Sequence, residues 1–588
     1  MKKLCAAIMV FISIFIQSSI EKEDLDQLSE SQEPFFHVPL DHGGKLELFW
    51  DVYYDTDTVV MEIHSQMRPD DWLAVGFSDY GEIENADLCV FWVDRKGKSH
   101  FMDTWTDEES ILHVDKHQNC HLAKMTYFDD VRILVWRREF DTCENDDYII
   151  EEGTTHILYA MGEGPLPDIE GIKLNEKEHG FQRTQLLKNI NPVPLLPKDA
   201  KTLTFLNDKV HVPGTETTYW CSLHKMPLLS NKHHIVQFEA VIQPGNEALV
   251  HHMELFHCQI PVTQKMDDYN AACTAESKPP HYEACKKVLA AWAMGALPIR
   301  YPKEAGAPIG GPDFSQFVML EIHYNNPELK NDWVDSSGIQ FHYTSQLRKY
   351  DLGVMELGLE YTPKMAIPPL ENEFTLHGHC IPECTEKAIP PSGIVVFASQ
   401  LHTHLTGIRV TTRHIRGGVE MALLNGDDHY SPHFQEIRIL KIPTLVLPGD
   451  GLITSCTYNT SGRPNITVGG FSITDEMCVN YIHYYPKIDL ELCKSAIDTS
   501  DLENYLNFMN KYENQPTSIK KDVTTNYHSI NWNPLRSQML SDLYAVTTLA
   551  MHCNQSNGES FPGYWNEMPQ VKVLEPLAEI PRHCPTNN

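Results

Sequence analysis

The sequence predicts an all-β protein made of several sandwich domains in series. Three observations carry this: short β-prone runs bounded by polar turns, only two stretches with helical spacing, and a length of 588 residues, room for about three or four domains of ~150 residues. Residues 59–64, 88–93 and 131–140 are rich in Val, Ile, Phe and Trp and read as one sandwich over residues 40–160. Residues 161–200 carry Pro165, Pro167, Pro192, Pro194 and Pro197 in a polar stretch without a period, which reads as a linker. Strand runs resume at 233–242, 317–324, 393–405 and 466–473. The helical stretches are 281–293, where Cys285, Leu289 and Trp292 share a face, and 535–551. No repeat of 20–50 residues is present, which excludes a solenoid or propeller.

The formal net charge of −33 excludes nucleic-acid binding and docking on anionic lipid, both of which need basic surface. Lys2 and Lys3, an apolar run over residues 4–16 and Gln17-Ser18-Ser19 predict a signal peptide over residues 1–19. The run is shorter than the ~20 residues of a membrane span, and an uncleaved signal anchor is the alternative. No later segment is long and apolar enough to span a bilayer. Of 15 cysteines, removing Cys5 with the signal leaves an even number, as a disulfide framework requires. Glycosylation triplets at Asn459, Asn465 and Asn554 agree with a lumenal or secreted protein.

The chemistry-bearing residues lie in the second half. His251-His252-Met253 sets two imidazoles side by side, and on an ideal strand these point to opposite faces, so joint ligation needs a kink or rings that reach back with suitable nitrogens. His323 ends an apolar strand at Glu321-Ile322-His323-Tyr324. His402-Thr403-His404 on a strand places two imidazoles on one face, about 7 Å apart along the backbone. Met477, in Asp475-Glu476-Met477-Cys478, is either a thioether ligand or core filler. A rival motif, His377-Gly378-His379-Cys380 with Cys384, mixes nitrogen and sulfur as a zinc site would, or else spends its cysteines on disulfides.

Residues 251–254, 320–324, 400–407 and 476–481 together resemble the metal motifs of the copper type II, ascorbate-dependent monooxygenases. The resemblance extends to residues 217–221, 427–436 and 492–496, and residues 140–143 with their neighbouring strands resemble a DOMON domain. It implies a DOMON sandwich over 40–160, two jelly-roll-like sandwiches over 201–345 and 346–500, and an extension with some helix over 501–588. It implies two copper ions per subunit, one held by His251, His252 and His323, the other by His402, His404 and Met477. A thioether suits soft Cu(I) and is a poor zinc ligand, which agrees with copper. Tyr219 and His402 match residues given catalytic roles in the family; packing beside Cys221 is the other reading of Tyr219. The implied reaction takes electrons one at a time from ascorbate and puts one atom of O₂ into a substrate C–H bond.

The resemblance also implies the disulfides Cys221–Cys273, Cys258–Cys285, Cys380–Cys493, Cys384–Cys553, Cys456–Cys478 and Cys143–Cys584, leaving Cys89 and Cys120 for each other. Peptide-amidating members carry an arginine where this chain has Gln400, and a neutral amide cannot clamp a carboxylate as a guanidinium does. The partners implied are therefore a small phenylethylamine-like amine, O₂ and ascorbate, with a homo-oligomer left open. Glu321, beside His323, either meets the amine or orients its neighbours. A catalytically silent copper- or ligand-binding protein on the same fold, and a zinc hydrolase, are the competing functions.

Overall fold

The structure, a computed structural model, describes residues 36–41, 43–128, 130–189, 194–274, 278–294, 296–472, 474–578, 582 and 584. The expected signal peptide over 1–19 lies outside the described residues. The chain divides into two compact units: residues 1–150 with 156–182, and residues 151–155 with 183–588.

In the first unit, a five-stranded sheet runs in the order Phe36–Pro39, Leu46–Tyr53, Thr58–Ser65, Val131–Glu139, His121–Phe128. Leu46, Leu48, Trp50 and Val52 alternate inward along one strand, the period-2 pattern of a sheet with one buried face. The second sheet is six-stranded and centres on Trp72–Ser78, buried at every position, and Asp87–Val93. Its outer strand, Glu178–Thr184, pairs with Thr155–Gly162 and comes from the stretch read as linker. Cys89 and Cys120 bond to each other here.

The second unit holds two sandwiches. In the first, a sheet containing Lys201–Leu206, Gly338–Thr344 and His233–Val241 faces a sheet ordered Asn270–Ala272, Thr217–Lys225, Phe317–Asn325, Val250–Cys258, Cys285–Ala293. Phe205, Phe238 and Phe341 from one sheet meet Val250, Leu255, Leu320 and Ile322 from the other in a shared core. The second sandwich pairs Arg438–Val446, Ile394–His402, Val479–Tyr485, Gly353–Leu359, Leu490–Ile497 and Leu549–Gln555 in one sheet with Phe374–Cys380, Asp450–Tyr458 and Gly407–Arg416 in the other. Helices Thr499–Lys511, Val523–Ser529 and Pro534–Val546 follow, N-capped by Asp498, Asp522 and Asn533.

Several expectations are corrected. Residues 281–293 are a short turn, Tyr282–Ala284, and a strand, Cys285–Ala293, paired with Val250–Cys258. Leu289 to Ala293 are buried without a break, so both faces are covered, and a strand covered on both faces loses its alternation and mimics helical spacing. The helix expected over 535–551 stops at Val546, and the chain from Leu549 joins the sheet edge. Of the described residues in 466–473, only Thr467–Val468 form a strand. The zinc alternative fails, because Cys380 bonds to Cys493 and Cys384 to Cys553. The pairs Cys221–Cys273, Cys258–Cys285 and Cys456–Cys478 also form as the resemblance implies.

Candidate metal centre

The kink that two adjacent histidines need is present. Val250 pairs with Tyr324 and His252 with His323, so His251 is the extra residue of a β-bulge in Val250–Cys258. A bulge re-aims a side chain that a regular pleat would send to the far face. The backbone carbonyl of His251 is held by the Met294 N–H at 2.9 Å. His251 Nδ1 and His323 Nδ1 each lie 3.2 Å from His252 Nδ1, and one nitrogen of each ring lies within 4.8 Å of the others. A ring nitrogen has one in-plane lone pair or one proton, so His252 Nδ1 cannot serve both neighbours at once. One cation between the three satisfies them all. Burial first, and neighbouring imidazoles second, hold His251 and His252 well below the ordinary histidine range and push His323 down to about 4. They are therefore neutral, the form that ligates.

Tyr219 pairs with His323 across the ladder, and its ring stacks on the imidazole at 4.5 Å and 6°. Burial, then Glu321 and Glu254, pushes its phenol up to about 12, so it keeps its proton and is no general base at neutral pH. Glu254 and Glu321 face each other in the ladder two residues before the His252–His323 pair is reached on one strand and two after it on the other. Burial and the charge of Glu321 push Glu254 up to about 8, opposed by the Gln400 amide.

The second cluster sits where Ile394–His402 ends. His402 is the last residue of the strand, so His404 lies beyond it, which corrects the expectation of two histidines on one strand face. His402 pairs with Val479 at the end of the ladder, and His404 and Met477 each lie two residues past that pair, where their N–H groups share one carboxylate oxygen. Glu476 closes this end. Its Oε2 accepts the N–H groups of His404 (2.9 Å) and Met477 (3.2 Å), and its Oε1 accepts the N–H (2.7 Å) and hydroxyl (2.7 Å) of Thr406. The Met477 carbonyl accepts the Tyr458 hydroxyl at 2.7 Å.

The tautomers follow from the acceptors. His402 Nδ1 meets Gln435 Oε1 at 2.5 Å, and His404 Nδ1 meets the Asp475 carbonyl at 3.1 Å. Each Nδ1 therefore carries the proton, and each Nε2 lone pair is left for a ligand. The two rings stand 5.4 Å apart and perpendicular. His402 is pushed down to about 4, mainly by burial. Two imidazoles with their Nε2 atoms turned from the protein acceptors, and a methionine tied through its backbone to the same carboxylate as His404, make a donor set that suits a soft, redox-active metal and suits zinc poorly. The clusters sense each other, since His402 is among the groups that hold His252 low.

Four residues near these clusters carried no role in the sequence reading. Gln435 holds His402, Glu476 holds both chain ends of the second cluster, and Glu254 adds a half-buried carboxyl. His433 brings a fourth imidazole to within 6.3 Å of His251, ring centre to ring centre. The available signal was polar residues packed among aromatics in Tyr430-Ser431-Pro432-His433-Phe434-Gln435-Glu436.

The chain matches the families described as copper type II ascorbate-dependent monooxygenase, N-terminal domain, over residues 203–331, and C-terminal domain, over residues 350–506. Residues 42–162 match the DOMON domain. Dopamine beta-hydroxylase of Bos taurus is 44% identical over 584 residues, covering 99% of this chain and 94% of that protein. Its counterpart from Homo sapiens is 45% identical over 560 residues, covering 95% and 90%. Tyramine beta-hydroxylase of Caenorhabditis briggsae is 38% identical over 539 residues, covering 88% and 89%. The chain belongs to the copper type II ascorbate-dependent monooxygenase family.

Proposed function

We propose that this enzyme hydroxylates a carbon of a small phenylethylamine-like amine, with His251, His252 and His323 holding one copper and His402, His404 and Met477 the other. Copper supplies one-electron redox and O₂ chemistry when bound. Two electrons from ascorbate and two protons balance the reaction, one oxygen atom entering the C–H bond and the other leaving as water. The observation that carries the reading is the pairing of two donor sets with opposite character in one unit. One presents three converging Nδ1 atoms; the other presents the Nε2 atoms of His402 and His404 on a segment that Glu476 ties to the backbone of Met477.

The chain's own residues then have defined tasks. Tyr219 fixes the plane of His323 by stacking. Gln435 and the Asp475 carbonyl fix the tautomers of His402 and His404. Glu254, half-buried and beside Gln400, offers a carboxyl, held protonated by its surroundings, that a cationic amine would draw to its charged form, whereas Gln400, whose amide donates to the Gln435 carbonyl at 2.9 Å, offers no clamp for a carboxylate. The names of the relatives, which act on dopamine and tyramine, support an amine substrate. A secretory location is supported by the signal-like N-terminus and the disulfides; among the described residues no helix is long and apolar enough to cross a membrane.

The test is a copper-reconstituted protein given ascorbate and a panel of phenylethylamines and peptidyl-glycines. Amine-dependent O₂ consumption with a hydroxylated product is expected, together with two coppers per chain. Met477→Ile is expected to lose more than the ~100-fold that an outer partner of a metal ligand costs. Normal turnover by that variant overturns the ligand assignment, and tight copper binding without turnover on any amine favours the silent alternative.

A further inference from the structure

The second unit contains a five-residue segment, 151–155, that lies inside the stretch matched to the DOMON domain. Its residues Gly153 and Thr154 touch the neck of one loop. That loop leaves the strand Asn425–Asp427 and re-enters the sheet at Arg438. Asp427 is fully buried, and its carboxylate accepts the Thr154 N–H at 3.0 Å, the Thr154 hydroxyl at 2.6 Å and the Arg438 guanidinium at 2.8 Å. Arg438 also donates to the Thr154 hydroxyl oxygen at 3.0 Å, which closes a three-membered ring of partners. Gly153, at φ +118°, passes so close that a Cβ there would stand 2.9 Å from Asp427 Oδ1. Glu152 adds an ion pair to Lys441 at 2.6 Å.

What this neck encloses is the second cluster's support. Within the loop the Tyr430 hydroxyl accepts the Thr403 N–H at 3.0 Å, Gln435 holds His402 Nδ1 and the Thr403 carbonyl, and His433 approaches His251. Arg438 pairs in the sheet with Ser399, three residues before His402. A loop whose two ends are ion-paired to each other and locked to a third strand of chain has little freedom left in between. We infer that Gly153 and Thr154 are positioning residues for the copper chemistry: they clamp the 428–437 loop, and through Gln435 they fix the His402 imidazole. The inference rests on the proposed role of His402 as a ligand.

The decisive variants are Thr154→Val, which keeps the shape and the backbone N–H but removes the hydroxyl, and Thr154→Ser, which restores it. In the copper-free full chain, Thr154→Val is expected to raise amide exchange over residues 428–437 at least about tenfold, the size of losing the hydroxyl's bonds to the Asp427 carboxylate and the Arg438 guanidinium, with the rest of the unit unchanged. In the copper-loaded protein, the Cu(II) resonance of the His402 site is expected to shift and kcat to fall, with both returning in Thr154→Ser. Unchanged exchange in the loop, exchange raised evenly across the unit, or failure of the serine variant to rescue overturns the clamp. Faster exchange with an unaltered Cu(II) spectrum overturns the step from loop to His402. The ligand role is read separately from His402→Ala, which loses one copper per chain whether or not the clamp exists.

Discussion

At the scale of single residues, the centre is organised by which nitrogen is free. The three-histidine cluster converges through Nδ1, while His402 and His404 have Nδ1 occupied by acceptors. Gln435 is therefore expected to control the second site from outside it. Gln435→Leu leaves a buried Nδ1–H without its acceptor and frees the ring to turn or to protonate the other nitrogen. Copper affinity at that site, read by chelator competition, is expected to fall about 10–100-fold, with the three-histidine site unchanged. An equal loss at both sites would sink the idea that Gln435 acts on His402 alone.

At the scale of elements, the second cluster depends on a chain reversal held by one carboxylate. Glu476 presents both oxygens to four donors from His404, Thr406 and Met477. Glu476→Gln keeps one oxygen and replaces the other with an NH₂ that faces donors, so at least one buried N–H loses its acceptor, at about 1–3 kcal/mol. The expected outcome is a lower melting temperature in the copper-free protein and one copper per chain instead of two. A variant that keeps both coppers and full stability would show that the reversal stands without the carboxylate. The ligand types and their order were legible in the sequence, because donor identity is local. A kink at His251-His252 was legible as a requirement of joint ligation, but its form as a bulge against Phe317–Asn325 and the end of the strand at His402 were not, because each depends on a partner strand far away in the chain. The same holds for Cys285–Ala293: its apolar spacing fits a helix until the neighbour Val250–Cys258 is known to cover it.

At the scale of the whole molecule, the two units are expected to answer pH in opposite senses. In the second unit, burial holds His323, His402 and His483 near 4, below the unfolded histidine value of about 6.5. The unfolded chain then binds more protons, so copper-free stability is present above about pH 6.5 and is lost as pH falls toward 4. In the first unit, Asp103 is buried near Asp87 and Asp147, and burial followed by their charges pushes it up to about 8. Asp87 is paired with the buried Arg138, so the proton shared by this cluster rests on Asp103. Here the folded state binds more protons than the unfolded carboxylate, whose pKa is about 3.9. The stabilisation is full below that value and is lost as pH rises through about 8. Thermal unfolding of the copper-free protein is therefore expected to show the first unit melting lower as pH goes from 5 to 8.5, and the second higher as pH goes from 4 to 6.5, above which Glu254 at about 8 turns its slope. Asp103→Asn is expected to flatten the slope of the first unit and leave that of the second intact. A variant whose first unit still loses stability above pH 7 would place the proton elsewhere than on Asp103.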